Sequence, residues 1–569
     1  MTKETIKVVI FFLLMSFIVI SGGLHQAGSD PAGTTVVSQY ILHYHSPLLT
    51  GSYANFFSGH IHYLVRNFKG KTIYNPPIGT PVIIIPIVAL ANLFKLNALS
   101  NDLTIQMLCV FVIVFFIFWV TYNFNIMFFP TVISALLSVL MFFGTIIGPT
   151  IGSGLWDQDL EILFTGLTLL ILIKYDLNKN YMSLILGVVL FIGFFARPTF
   201  AIVIIFTFIY LLFKNKKSFF ISSIVSFLLL MLFSIASFHF YGKILPPYYL
   251  ASGKSGIFFG INNFIYALSG FIYSPSRSMF IYSPVLLILF FYWGPLFKKP
   301  FIMFSAMALA IMIVKILSYS FFYQWWGGWV FGPRYMAGAT YIGYLLSIIA
   351  VGYLYNNKKI IHLILMFILL FIGLIINIPG MYNTYALAWT AFPDINKYPN
   401  VIFSYRYPQF TCVNKNILMK KCLSQTKEFR ISNSICSNIY PLPKMVESEF
   451  ASLYKASKCY FKKDSDYINM SPFTAEQNGC LNKLYGGYSK PNLNWNWTKQ
   501  GGWLGLFNIK QQHYVGVGIE GKYAEVRHII KKYKKRAIVV YFPYPKIYNP
   551  NNSKNKKSGR LFMVFRINN

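Results

Sequence analysis

Acidic residues are scarce in this chain of 569 residues, where 16 Asp and Glu stand against 50 Lys and Arg. Because carboxylates are so few, acid–base chemistry or cation binding in the first two thirds of the chain is restricted to a handful of positions. The basic residues lie in short loops and a tail, which argues against a nucleic-acid-binding domain. Before residue 390 the carboxylates are Glu4, Asp30, Asp102, Asp157, Asp159, Glu161 and Asp176.

Cysteine is also rare, and none of the six cysteines forms a CxxC pair, so the sequence does not indicate a zinc site. Cys109 lies in an apolar run, and the other five follow residue 411. This distribution fits an oxidising compartment. Four of those five could pair as two disulfides, in a connectivity that the spacing leaves open.

Apolar residues are abundant: 56% of the chain is hydrophobic, 12% is charged and the mean hydropathy is +0.53. Such a composition does not match a soluble globular protein and predicts a membrane protein with about eleven transmembrane helices. The predicted spans are near 7–22, 104–121, 130–147, 158–174, 181–195, 198–213, 217–239, 279–294, 300–318, 336–354 and 359–377.

Lysines predict the orientation of these spans. They cluster in the short loops near residues 174–179, 214–217, 298–299 and 358–359, which marks the cytoplasmic side. The N-terminus is then cytoplasmic, and the first span is expected to remain as an anchor because no signal-peptidase site follows it. The first loop is exoplasmic and the loop near residue 174 is cytoplasmic, so the number of crossings between them must be odd. The apolar stretch 81–96 is therefore predicted not to cross the membrane, and we expect interfacial helices in this first exoplasmic loop.

Eleven crossings that start from a cytoplasmic N-terminus place the residues after about 378 on the exoplasmic side. The segments 536–542 and 560–566 are β-branched, aromatic and bounded by Pro, Asn and Gly, which predicts strands. The sequence therefore predicts an all-α membrane module over 1–377 and an exoplasmic, β-rich C-terminal domain with probable disulfides over 378–569.

Two groups of carboxylates are candidates for catalysis. Asp30 opens a polar loop that contains four of the nine histidines and Tyr74, and it is predicted to act as a general base or to anchor a metal ion, or else simply to begin a turn at Pro31. Asp157 and Asp159 lie where a span leaves the outer surface; they are candidate bases too, unless they only cap the helix.

Three single arginines, Arg197, Arg277 and Arg334, stand at predicted outer ends of spans. Guanidinium groups bind phosphate in a bidentate manner, so converging arginines suit a lipid phosphate; the alternative is contact with lipid headgroups. Arg334 ends a segment rich in Trp and Gly that contains Trp326 and precedes Tyr335. This segment could stack against sugar rings or form a rigid re-entrant turn.

Several of these motifs resemble the C-type membrane glycosyltransferases (GT-C), in the bacterial branch of protein O-mannosyltransferases and lipid A aminoarabinose transferases. The resemblance covers roughly residues 5–380. It is carried by the segments 70–79, 153–156, 196–199, 273–284 and 325–335.

The resemblance implies interfacial helices in the first exoplasmic loop and an acidic residue there that acts as base or metal anchor. Asp30 is the available acid, although close members place it where this chain has Thr34. It also implies transfer of a sugar, with inversion, from a polyprenyl-phosphate donor to an acceptor on the periplasmic face of a bacterial inner membrane. Asp30, Asp157 and Asp159 are then the catalytic candidates, and Arg197, Arg277, Arg334, Tyr74, Trp326 and Tyr335 the substrate-binding candidates.

No resident cofactor and no metal site are predicted, although the loop acid is compatible with a divalent cation. The expected partners are the lipid-linked sugar, the bilayer and an acceptor that is a lipid, a glycan or a protein of the cell envelope. The alternatives are a lipid or glycolipid flippase, a glycan ligase or polymerase, and an inactive scaffold.

Overall fold

The computed structural model describes residues 3–57, 59–68, 70–249, 261–428 and 436, together with four strands between 504 and 566. The chain divides into two compact units, 1–447 and 448–569. The boundary predicted at 377 and 378 therefore lies inside the first unit, and the division into a membrane module and an exoplasmic domain stays a prediction.

The first unit is predominantly helical, as predicted. Its helices are α1 Lys3–Ser21, α2 Thr34–Tyr44, α3 Gly51–Asn55, α4 Gly79–Ile83, α5 Ile85–Leu93, α6 Ala98–Asn125, α7 Thr131–Phe143, α8 Ile147–Ile151, α9 Asp157–Lys174, α10 Asn180–Ala196, α11 Ala201–Lys214, α12 Lys216–Tyr241, α13 Ile261–Tyr273, α14 Met279–Tyr282, α15 Ile288–Phe291, α16 Ile302–Ser320, α17 Ala337–Asn356, α18 Ile361–Tyr382, α19 Thr384–Ala388 and α20 Lys415–Glu428.

Six helices among the described residues are long and apolar enough to cross a membrane: α1, α6, α12, α16, α17 with its preceding turn, and α18. The apolar helices α7, α10 and α11 are shorter, and α9 carries acidic residues in its first turn. The protein is therefore a multi-pass membrane protein, and the number of eleven crossings stays a prediction.

One predicted span, 279–294, is not a continuous helix. It consists of α14, a 3-10 turn over Pro284–Leu287, α15 and a second 3-10 turn over Gly294–Phe297. Each 3-10 turn has a proline at its start, where the ring removes a backbone donor and interrupts the i to i−4 pattern. Hydropathy alone does not detect such breaks.

The stretch 81–96, which charge parity excluded as a span, forms the short helices α4 and α5. At the end of α5, Leu90, Leu93 and Phe94 are exposed, as expected for a helix lying on a membrane. The rest of this loop contains α2, α3 and a small antiparallel sheet in the order β1-β3-β2, with β1 Leu48–Leu49, β2 Val65–Phe68 and β3 Lys71–Tyr74.

Buried polar contacts tie the first loop to the start of α6. Asp102 accepts hydrogen bonds from the backbone N of Gly33 at 3.2 Å and from the Thr35 hydroxyl at 2.5 Å. Gln39 accepts from the backbone N of Ala98 at 2.5 Å. Because a buried carboxylate or amide without partners is costly, these contacts fix where α2 begins.

The residues after α18 do not leave the helical unit. Trp389, Ile402 and Cys422 pack in one core with Phe271 and Trp325. Among the described residues, Cys422 forms a disulfide with Cys436, while Cys412 is buried and forms none. Cys459 and Cys480, the other candidates for disulfides, lie outside the described residues.

The second unit contains strands β4 Leu504–Ile509, β5 Tyr514–Glu520, β6 Ala537–Phe542 and β7 Leu561–Arg566. They form an antiparallel sheet in the order β4-β5-β7-β6. Two of these strands coincide with the two segments that the sequence predicted as strands.

The close approach of α18 to the end of α7 yields a stability prediction. A Cβ added at Gly373 would overlap the carbonyl group of Gly144, because backbones this close leave room only for glycine. We expect Gly373→Ala to lower the free energy of unfolding by about 1–3 kcal/mol, measured as thermal stability in detergent. Gly294→Ala is the control, since a Cβ there meets nothing within 4 Å. Equal stability of the two variants would contradict this packing.

Candidate active site

A cavity of about 240 Å³ lies between the first loop, the start of α9, the end of α10 and the turn before α17. It gathers six of the candidate residues from four separate parts of the chain. Its polar and aromatic lining includes Asp30, Thr34, Tyr63, Tyr74, Trp156, Asp157, Gln158, Arg197, Tyr248, Arg334 and Tyr335.

The cavity lies at the helix ends remote from the lysine loops. Helix α9 begins at the cavity with Asp157 and ends at Lys174, and α10 returns from Asn180 to the cavity at Arg197. A helix of 18 residues is about 27 Å long, close to the thickness of a bilayer core. By the positive-inside bias the cavity end is the predicted exoplasmic end.

Arg334 forms one wall of the cavity. Its guanidinium carbon is 4.0 Å from the centre of the Trp156 ring and 5.2 Å from that of Tyr335. Its Nη2 is 3.9 Å from Oδ2 of Asp30. The buried Nε and Nη1 atoms have no hydrogen-bond partner among the described residues. A buried guanidinium with donors left over is suited to bind an anion.

Glycines before Arg334 explain how it is placed. Gly327, Gly328 and Gly332 have φ values of +81°, +74° and +58°, a region that L-residues with a side chain rarely adopt. The Trp-Gly segment therefore forms a turn, in keeping with one of its two predicted interpretations. Trp326 is buried, and its indole N–H donates to Asn396 at 2.9 Å. It does not line the cavity, so its prediction as a sugar-stacking residue is not supported.

Asp30 is the most accessible carboxylate of the cavity. Its side chain is 51% exposed, and its Oδ1 accepts a hydrogen bond from the hydroxyl of Tyr63 at 3.0 Å. Burial and the neighbouring Asp30 raise the pKa of Tyr63 to about 12. Burial also raises the pKa of Tyr74, whose hydroxyl contacts that of Thr34 at 3.0 Å. Both phenols therefore stay neutral near pH 7, which leaves the carboxylates as bases.

Asp157 and Arg197 form an ion pair in the cavity lining where α9 begins and α10 ends, with 3.4 Å between Oδ1 and Nη1. The Nε of Arg197 also lies 3.3 Å from Oε2 of Glu161, one turn further along α9. Glu161 in turn contacts the ammonium of Lys315. Four charges of alternating sign therefore lead from the cavity into the helical core.

Asp159 does not line the cavity. It is fully buried, and its Oδ2 accepts a hydrogen bond from the backbone N of Trp156 at 2.9 Å, which caps α9. The capping interpretation therefore describes Asp159, and its prediction as an alternative base is not supported. Its neighbours Asp157 and Gln158 do reach the cavity, because successive residues in the first turn point in different directions.

Arg277 is also away from the cavity. Its guanidinium is fully buried and donates to the carbonyls of Trp326 at 2.8 Å and Val330 at 3.2 Å and to Oε1 of Gln409 at 2.7 Å. With its donors satisfied by the protein, Arg277 holds the Trp-Gly turn against the segment after α19. The prediction that it binds phosphate is not supported by this geometry.

Three polar residues near the site were not identified as important from the sequence. Lys315 lies inside a predicted span, and a charged residue at such a depth is itself a signal of function. Gln158 donates to the carbonyl of Arg334 at 2.8 Å and so joins α9 to the turn before α17. Asp102 anchors the first loop, a role that its position at the start of a span did not reveal.

Metal ligands are not grouped in the part of the chain that the structure describes. No three His, Cys, Asp or Glu side chains are placed there to hold an ion.

Comparison with known proteins returns one similar fold. The chain matches no protein-family model and no curated protein sequence. Its structure is similar to the crystal structure of ArnT from Cupriavidus metallidurans bound to undecaprenyl phosphate, over 79% of this chain and 74% of that one. The identity is 11% and the TM-score is 0.41. At these values the likeness by itself assigns this chain no activity.

Arg277, whose donors are satisfied within the protein, should contribute more to stability than Arg334 does. We expect Arg277→Met to lower the free energy of unfolding by about 3 kcal/mol, because it removes the donor from the buried carbonyls of Ser276 and Trp326. Arg334→Met should cost less, since Arg334 contributes mainly its contact with Trp156. Thermal unfolding of both purified variants tests this. A larger loss for Arg334→Met would contradict the structural role of Arg277.

Proposed function

We propose that this protein transfers a sugar from a polyprenyl-phosphate-linked donor to an acceptor at the exoplasmic face of a bacterial inner membrane. The observation that carries the proposal is the meeting of two carboxylates and two guanidinium groups in one cavity at the end of membrane-embedded helices. Glycosyl transfer from a lipid phosphate requires a base for the acceptor and cations for the leaving phosphate.

Arg334 is the proposed phosphate ligand. Its Nε and Nη1 lack partners among the described residues, and its position beside the cavity lets a phosphate oxygen replace the distant carboxylate of Asp30. Arg197, shared between two carboxylates, adds a second guanidinium to the cavity lining. Fixed cations in a site with little water stabilise the negative charge that develops as the phosphate leaves.

Asp30 is the proposed base. Its carboxylate takes the proton of the acceptor hydroxyl while the oxygen of that hydroxyl attacks the anomeric carbon of the sugar. The bond from this carbon to the phosphate oxygen breaks, and the polyprenyl phosphate leaves with both bonding electrons. Asp157, which is paired with Arg197, serves to orient that arginine.

The acceptor is proposed only as a hydroxyl-bearing lipid, glycan or protein of the cell envelope. A flippase is the principal alternative from another class. Transporter sites lie near the middle of the bilayer, whereas this cavity lies at the ends of α9, α10 and α17. Its position therefore favours chemistry on a lipid headgroup.

Loss of the base gives the first test of function. With radiolabelled polyprenyl-phosphate sugars and a membrane extract as acceptor, Asp30→Asn should lower the turnover number about 10²- to 10⁴-fold. Asp157→Asn should lose less and should weaken donor binding, because its carboxylate only orients Arg197. Asp176→Asn is the control, since Asp176 lies after α9 at the opposite end.

Two outcomes would contradict the assignment. Full turnover of Asp30→Asn would remove Asp30 as the base. Lack of transfer by the wild type from any donor, combined with lipid scrambling in reconstituted vesicles, would replace the transferase by a flippase.

Arg334→Lys tests the phosphate ligand. Lysine keeps the charge but not the planar fork, so we expect KM for the donor to rise roughly tenfold, as for the loss of about 1.5 kcal/mol. Arg406→Lys is the matched control, because Arg406 also lies over an aromatic ring, 5.7 Å from that of Tyr407, but is exposed and away from the cavity. An unchanged KM in Arg334→Lys would argue against bidentate phosphate binding.

A further inference from the structure

Lys315 is a charged residue that the proposed reaction does not use. It lies on α16, 1% exposed, and does not line the cavity. Its ammonium contacts Oε1 of Glu161. Gly338 of α17 lies next to it, since a Cβ built at Gly338 would be 3.8 Å from Nζ, an ordinary van der Waals distance. A lysine so deep among apolar helices is energetically costly, and such residues usually have a function.

The charge of Lys315 reaches the cavity through Glu161 and Arg197. Arg197 divides its guanidinium between Glu161, at 3.3 Å, and Asp157, at 3.4 Å. With Lys315 present, two cations face two carboxylates. Without its charge, the two carboxylates would share one guanidinium, and the cavity wall would carry excess negative charge.

We propose that Lys315 is a positioning residue that sets the charge of this wall and thereby the affinity for the phosphate of the donor. The inference rests on the proposed function. Lys315 neutralises Glu161, so that Arg197 stays beside Asp157 at the cavity. Because interactions among buried charges are weakly screened, a neutral wall accepts an anionic phosphate better than a negative one.

Binding of a synthetic polyprenyl phosphate without sugar tests the inference on the full chain in detergent, alongside the transfer assay. Lys315→Met should weaken binding roughly tenfold and raise KM for the donor with a smaller change in kcat. Lys315→Arg, which keeps the charge, should bind as the wild type does. The double variant Lys315→Met/Glu161→Gln, which restores neutrality, should regain most of the affinity.

Lys421→Met is the matched control for the loss of a buried lysine. Lys421 is fully buried and donates to the carbonyls of Trp389 and Phe392, both at 2.7 Å, away from the cavity. Its variant should lose stability and keep the affinity for polyprenyl phosphate. If Lys315→Met does not fold, Lys315→Gln removes the same charge and has the same expected result.

Unchanged binding in Lys315→Met or Lys315→Gln would overturn the inference while leaving the transferase assignment intact. So would an equal loss in Lys315→Met and in the double variant, because packing rather than charge would then be responsible. A wild type that neither binds polyprenyl phosphate nor transfers sugar would overturn the proposed function, and the inference with it.

Discussion

Compensation of buried charge is the constraint on which the site depends. Lys315, Glu161, Arg197 and Asp157 alternate in sign along one line through α16, α9 and the end of α10. Removing one member of such a group leaves an unpaired charge, which is far more costly than losing an apolar contact. Because lipid chains are as apolar as the helix surfaces, the hydrophobic effect does little to drive helices together in a membrane. Polar contacts of this kind therefore contribute to the arrangement of α9, α10 and α16. The wall of the cavity is one end of that line.

The side of the cavity that the first loop forms depends on another buried carboxylate, Asp102. Asp102 holds the start of α2 through Gly33 and Thr35, and so determines where the chain just upstream lies. That placement brings Asp30 to within 3.9 Å of Arg334, although more than 300 residues separate them in sequence. Both walls therefore depend on charges that lie outside the cavity. A substitution outside the cavity can therefore change the site if it alters the contacts of Glu161 or Asp102.

The sequence predicted the helical membrane fold, because long apolar runs report directly on the bilayer. It also singled out Asp30 and Arg334, since scarcity of acid and isolated arginines leave few alternatives. It did not distinguish Arg277 from the other two arginines, because composition does not reveal whether a guanidinium points into a cavity or towards backbone carbonyls. Lys315 was missed since one lysine barely lowers the hydropathy of a span. The break in 279–294 was missed for a similar reason: averaged hydropathy ignores where prolines lie.

The two cavity carboxylates, Asp30 and Asp157, have different surroundings and therefore suit different roles. A base must accept a proton without loss of the contacts that hold the site together. Protonation of Asp157 would remove the charge that balances Arg197 at 3.4 Å, and this pair is largely buried. Asp30 is half exposed, its nearest partner is the neutral hydroxyl of Tyr63, and Arg334 is 3.9 Å away. When phosphate binds Arg334, that weak ion pair is replaced by a stronger one. Asp30 is then free to take a proton, and Asp157 keeps its partner throughout.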